Sequence, residues 1–370
     1  MAFGSISVDK ITDSEGSVFS PSSALFRNRI INGDMRIDQR NAGASVTLTS
    51  GNTYVADRFT AVEDSDGAMT AEQVSDAPTG FVNSIKFTTT TADGSLAAGQ
   101  YANIQQKIEG TNISDLAWGT ASAKTITLSF WVRSSLTGTF SGSLRNSAVD
   151  RTYVFTYSIS SADTWEQKAI TIVGDTSGTW LTTTGVGIRI TLALGAGTNF
   201  VATAGSWGSG NYFAASGTTN VLGTLNATFY ITGVQLEVGS VATPFERRPY
   251  GTELALCQRY ACSSFPLGTA WAQNAGTAGA FSYIVLVGGT SAGFGVSMPF
   301  PVTMRANPTL TYYNPSAAND KWRNTIANTD SASGAGVNIR AWGTQITNYQ
   351  VAGDVASQTC QVHWSATAEL

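Results

Sequence analysis

Apolar and polar residues alternate with a period of two through much of the first 240 positions. TITLSFWVRSS sets Ile126, Leu128, Phe130 and Val132 on one face and Thr127, Ser129, Trp131 and Arg133 on the other. GVGIRITLAL repeats the pattern with Val186, Ile188, Ile190 and Leu192, and TYVFTYSI alternates Tyr153, Phe155 and Tyr157. VNSIKFTT (Val82 to Thr89) and WEQKAITIV, which pairs Trp165 with Ile170 and Ile172, extend the series. Such runs, separated by turn residues, predict antiparallel sheets with one buried face. On this reading Trp131 and Trp165 fill the core. No fixed-period repeat appears, which argues against a propeller or a solenoid.

The period changes between Ile231 and Ala261. Ile231, Val234 and Leu236 continue a strand, but Leu254, Cys257 and Tyr260 or Ala261 recur at roughly helical spacing. Pro244, Pro249 and Gly251 separate the two patterns and force a tight connector. A short helix of near-heptad character is unstable alone and would line an axis shared with other copies. Leu254, Cys257 and Tyr260 are therefore the candidate oligomer interface. Beyond it a second β-rich unit begins, with AGAFSYIVLVGG reading as a buried strand through Phe281, Tyr283, Val285 and Val287. The first 27 residues carry only weak alternation at Ile6, Val8 and Ile11 and cannot bury a core alone. The expected division is 1–27, an attachment or oligomerisation segment; 28–249, a jelly-roll-like β-sandwich; 250–262, a helical collar; and 263–370, a β-rich tip. One Gly/Ser/Thr-rich insert, Gly195 to Gly223, carries Trp207, Tyr212 and Phe213, and long loops of this kind are often functional.

Composition supports an all-β chain. Charged residues make up 12%, about half the usual ~25%, and there are 38 glycines. Thr suits a pleated face and Gly supplies turns, whereas helical bundles expose Glu and Lys. A net charge of −4 gives no basic field for nucleic acid or anionic membrane. No apolar run is long enough to insert in a membrane, and MAFGSISVDK lacks the core of a signal peptide. The irregular spacing of Cys257, Cys262 and Cys360 favours free thiols over a disulfide scaffold or a zinc site.

Arg27, Arg29, Arg36 and Arg40 make NRIINGDMRIDQRNAG and its flank the most basic stretch. Without aromatic partners for base stacking, these arginines are expected to bridge carboxylates of neighbouring elements or subunits. NRIINGDMRIDQRNAG also resembles the opening of the sandwich domain in phage tail-fibre and receptor-binding proteins. YVADRF (Tyr54 to Phe59), GVQLEVGSVATPFERRPYGTELALCQRY, the MPFPVTMRANP run and the terminal SATAEL resemble later segments of that family, in the same order. The sandwich pattern is also similar to jelly-roll carbohydrate-binding modules. The resemblance implies a homotrimer in a virion, made in the host cytoplasm. Its N-terminus would dock on other tail or baseplate proteins, and its tip would touch a host-surface glycan. A decoration protein without receptor role, or a polysaccharide-degrading tail enzyme, are the alternatives.

Catalytic chemistry is sparse, and no cofactor or metal is expected. The single histidine, His363, has no acidic neighbour in sequence and reads as structural. Glu63, Asp64 and Asp66 read as an acidic turn, and no phosphate-binding Gly loop follows a strand. What stands out is aromatic surface suited to stacking on sugar rings, given nine Trp and 12 Tyr. The candidate binding set in the tip is Tyr312, Tyr313, Trp322 and Trp342, with Asn319, Asp320 and Arg323 as polar partners.

Overall fold

A computed structural model describes residues 11–12, 18–19, 26–285, 296–326, 328–330, 336–346 and 358–370. Expectations for most of the first 25 residues, and for Val287, fall outside the described residues. A two-residue hairpin pairs β1 (Ile11–Thr12) with β2 (Val18–Phe19). The sandwich follows as β3 (Val46–Thr47), β4 (Thr53–Ala56), β5 (Phe59–Asp64), β6 (Ala68–Val74), β7 (Ser84–Thr91) and β8 (Tyr101–Glu109). It continues with β9 (Ile126–Ser134), β10 (Gly138–Arg145), β11 (Arg151–Ile159), β12 (Glu166–Ile172), β13 (Val186–Ala196), β14 (Trp207–Ser209) and β15 (Thr228–Val238).

These strands form a seven-stranded sheet, β14-β11-β10-β13-β8-β5-β4, and a six-stranded sheet, β12-β9-β15-β7-β6-β3. All their pairings are antiparallel. Alternation explains the core. Ile126, Leu128, Phe130 and Val132 from one sheet meet Phe140, Leu144, Ile188, Ile190 and Leu192 from the other. The all-β jelly-roll-like sandwich is thus present. Trp131 and Trp165 correct one expectation, since both are only half-buried. Trp131 falls between the inward residues of β9, and Trp165 donates Nε1–H to Asp76 at 3.2 Å and meets Tyr230 edge-on.

Helix α1 (Tyr250–Gln258) leads into β16 (Ala261–Ser263). The tip adds β17 (Phe281–Val285), β18 (Val296–Pro299), β19 (Thr309–Tyr313), β20 (Arg323–Asn324), β21 (Thr329–Asp330), β22 (Gly336–Arg340), β23 (Gly343–Ile346) and β24 (Gln358–Thr367). Strand β24 is its spine, pairing with β16, β17, β19 and β20, while β18, β23 and β22 form a separate three-stranded sheet. Among the described residues no helix is long and apolar enough to cross a membrane.

At Gly33 the chain crosses itself closely. A Cβ on Gly33 would lie 2.1 Å from the carbonyl oxygen of Val234, where the main chain of β15 donates from Val234 N to Gly33 O at 2.8 Å. Neither partner is a flexible side chain. Gly33→Ala should therefore cost about 3 kcal/mol, the upper end of overpacking penalties. Chemical denaturation measures it, and an unchanged midpoint would mean that the two backbones part without cost.

Candidate functional site

The basic stretch near the start of the sandwich does what its arginines were expected to do. Arg27 pairs with Glu237, Arg29 with Asp115, Arg36 with Asp34, and Arg40 with both Asp57 and Glu369. Most of these contacts belong to one junction. Asn32 is held with positive φ; its side chain bonds to Ile37 and Asp57 main chain, and its N–H donates to Glu253 of α1 at 2.5 Å. Arg248 joins Glu253 at 3.2 Å and donates to the carbonyls of Ile30 and Asn28. Glu246 accepts the N–H groups of Phe26 and Asn28, and Gln235 takes the N–H of Glu246 at 2.8 Å. The connector after β15 thus folds back over the outer face of the six-stranded sheet, where Glu237 accepts from Thr243.

The tip is tied in by the same chemistry. Arg40 and Arg58 both hold Glu369, and Arg58 also lies 3.6 Å from the ring centroid of Tyr260. Glu109, fully buried, receives Arg259 at 2.8 Å and the Tyr260 hydroxyl at 2.8 Å. Burial lifts the Tyr260 hydroxyl to about 12, so it stays a donor. Burial also pushes the Asp57 carboxyl up to about 6, against the pull of Arg40. Arg305 donates to Ala368, to Glu369 and to Thr184.

This geometry corrects the oligomer-interface expectation. Cys257 and Tyr260 are 1% exposed and pack on Ile31 and Ile37 of the same chain, with half-buried Leu254 against that cluster. Cys257 and Tyr260 are thus covered within the protomer and have no surface left for a shared axis, whereas Leu254 keeps part of its surface. The three cysteines are buried and in no disulfide.

In the tip, the candidate set does not assemble as expected. Trp322 has no solvent exposure and lies in a cluster with Cys360 and Val362, flanked by Phe281 and Tyr312. It therefore cannot stack on a sugar. Tyr313 is half-buried against Phe265 and bonds to Ser365. Asn319 and Arg323 turn to Asp330, with Asn314 also donating to it, so they brace a loop. These donors hold the Asp330 carboxyl below its usual range despite desolvation, which acts the other way and is the largest single influence. Asp320 is exposed, and Trp342 is 57% exposed on the other small sheet, where its carbonyl accepts from Phe300.

Catalytic candidates are similarly dispersed. His363 Nε2 meets the Gly276 carbonyl at 2.9 Å, Nδ1 meets the Ser264 hydroxyl at 3.0 Å, and the ring stacks on Phe265. Both nitrogens are committed, and burial lowers the pKa. Glu63 is buried and bonded to Ser65, whereas Asp64 and Asp66 are exposed.

The insert between β13 and β15 packs on the sandwich beside a pocket. It crosses the outer face of the seven-stranded sheet, where Phe213 stacks on Phe200 at 4.6 Å and both meet Tyr101 at 4.9 Å. Thr218 lies 3.3 Å from Ser141, and Asn211 receives Arg145. Beside this roof lies a pocket of about 460 Å³, lined by Ser95, Leu96, Gly195, Thr198, Thr218 and Asn220 among others. Hydroxyls, an amide and main chain dominate its wall. Sequence reading singled out the insert, Asn220 included, but not Tyr101, Arg145 or Leu96, which are brought in from distant strands and loops.

No family model and no curated protein matches the chain. Among solved structures, it is similar to the enzymatically active domain of bacteriophage CBA120 tailspike protein 4. That match has 15% identity and a TM-score of 0.30, and covers 58% of this chain and 22% of the tailspike domain. A family 4 carbohydrate-binding module matches at 15% identity and TM-score 0.28, over 56% of this chain and 98% of its own length. The family 11 carbohydrate-binding module from Clostridium thermocellum, in complex with a mixed-linked tetrasaccharide, matches at 11% identity and TM-score 0.27. The match covers 54% of this chain and 98% of that module. At these scores the likenesses carry no argument about function.

Proposed function

We propose that the chain is a structural protein of a bacteriophage virion, of the tail-fibre type, that attaches to a host-surface glycan and is not an enzyme. One observation carries the reading. The runs that resemble the tail-fibre family lie as far apart as Asn32 and Glu369, yet their polar residues meet in one junction. Gly33, Gln39, Arg40, Arg58, Gln235, Arg248, Glu253, Tyr260 and Glu369 each have a contact there that their residue type serves. The motifs thus describe how sandwich, helix and tip are locked together, which is a requirement of this architecture rather than of a ligand. The glycan part of the proposal is supported by the low-charge surface and by the hydroxyl-lined pocket beside the insert.

On this proposal the protein works as a homotrimer, docked on the virion through the N-terminal segment with the tip outward. Antibodies against the tip, applied to intact phage particles, test the placement by electron microscopy. Label at the distal tail supports it. Label over the capsid, or none on particles that contain the chain by mass spectrometry, favours the decoration reading.

A further inference from the structure

Three cations stand side by side on the outer face of the seven-stranded sheet. Register places Lys107 of β8 opposite Arg189 of β13, and Arg189 opposite Arg145 of β10. Directly opposed residues on neighbouring antiparallel strands lie about 4.5–5.5 Å apart, and like charges there are destabilising. Among the described residues none of the three forms an ion pair. Ten other arginines do, in a chain with more acids than bases, so carboxylates were available to neutralise the row.

The row is built rather than loose. Arg145 is 5% exposed, donates to Asn211 and to Thr191, and lies 4.4 Å from the ring centroid of Phe213. The Nε atoms of Arg145 and Arg189 are buried without a partner, and Arg189 and Lys107 are half-exposed at the surface. Lys107 donates to the Leu370 carbonyl at 2.6 Å. On the same face Ser143 Oγ and Asn103 Oδ1 are buried with no partner. Burial and the flanking arginines pull the Lys107 pKa down to about 8 against the opposing pull of Glu369, and burial and Arg189 also lower that of Arg145.

We propose that Lys107, Arg189 and Arg145 form a binding site for an oxyanion carried on a host polysaccharide, whether a uronic-acid carboxylate or a sulfate or phosphate ester. The half-exposed guanidinium fork of Arg189 matches such groups in two-pronged geometry, the buried Arg145 beside it adds charge, and the half-exposed Gln105 offers an amide to a sugar hydroxyl. The inference rests on the glycan part of the proposed function and makes it specific; it does not depend on the virion placement.

The test uses the purified full chain with trigalacturonate, neutral galactotriose, galactose 6-sulfate and galactose 6-phosphate, each measured by calorimetry. Arg189→Gln is the informative variant, because the native side chain makes no ion pair and is half-exposed, so the fold tolerates its loss; a melting curve verifies this. At least one anionic sugar should bind about tenfold more tightly than galactotriose, and Arg189→Gln should remove that preference. Which anion wins separates carboxylate from ester. Affinity should also fall between pH 7 and 9 as Lys107, facing Arg189, Arg145, Arg58 and Glu369, loses its charge. Equal binding of anionic and neutral sugars overturns the anion site and leaves the glycan reading standing. A preference that survives in Arg189→Gln places the site elsewhere and overturns it too. No binding of any of the four sugars overturns the anion site; the glycan reading itself falls only if the protein also binds host cells equally before and after their polysaccharide is removed. Tighter binding of a single-stranded DNA oligomer through the same row would replace the glycan with nucleic acid.

Discussion

Glu369→Ala lowers the stability of the chain by about 3–5 kcal/mol, the cost of leaving buried charges without their counter-ion. Arg58 is 3% exposed and Arg40 12% exposed at the side chain, and both rely on this carboxylate. Removal leaves Arg40 with Asp57 at 3.7 Å, a distance too long for a good hydrogen bond. Arg58 keeps the Lys107 carbonyl and the Tyr260 ring, neither of which carries a formal charge. Glu369→Gln retains an acceptor and should cost less than the alanine variant. Urea denaturation of the three proteins measures both values. A loss below about 1 kcal/mol for the alanine variant, typical of surface pairs, would mean that the junction is solvated.

Trp322→Ala has the second large effect, also about 3–5 kcal/mol, because a fully buried ring leaves a cavity. Its neighbours Phe281, Tyr312, Cys360 and Val362 come from three strands, so the tip sheet should lose cooperativity first. Tryptophan fluorescence and thermal melting of the variant read this out. Were Trp322 instead a sugar platform, the melting temperature would hold and only host binding would fall.

The strands were legible because one face of each is buried, and burial imposes a period of two on the residues that meet it. The same logic, carried through, places Trp131 outside the core, since it falls between Phe130 and Val132. Large apolar size outweighed position in the reading of that residue. Trp322 erred the other way. Asn319, Asp320 and Arg323 made its surroundings look solvent-facing, although Asn319 and Arg323 are engaged with Asp330. A polar context in sequence can be a braced loop folded over an apolar anchor.

A helix, Tyr250–Gln258, lies in the stretch expected to be a collar, but Cys257 and Tyr260 face their own chain. Near-heptad spacing records that one face is covered, not what covers it, and here Ile31 and Ile37 of the same chain do so. The arginines of the basic stretch were read correctly as carboxylate partners, because low overall charge leaves few other uses for them. The cation row was beyond reach of sequence. Residues 107, 145 and 189 become neighbours only through strand order and register, and neither is encoded in any local pattern.

The central claim, that this is a host-attachment protein of a phage virion, meets its most direct test in competition for adsorption. Host cells are preincubated with the purified chain, washed, and challenged with the phage that carries it. The account predicts that saturating protein binds the cells and lowers the adsorption rate, and that enzymatic removal of surface polysaccharide abolishes both effects. An unchanged adsorption rate at saturating protein, or binding that is equal on cells stripped of polysaccharide, would contradict it.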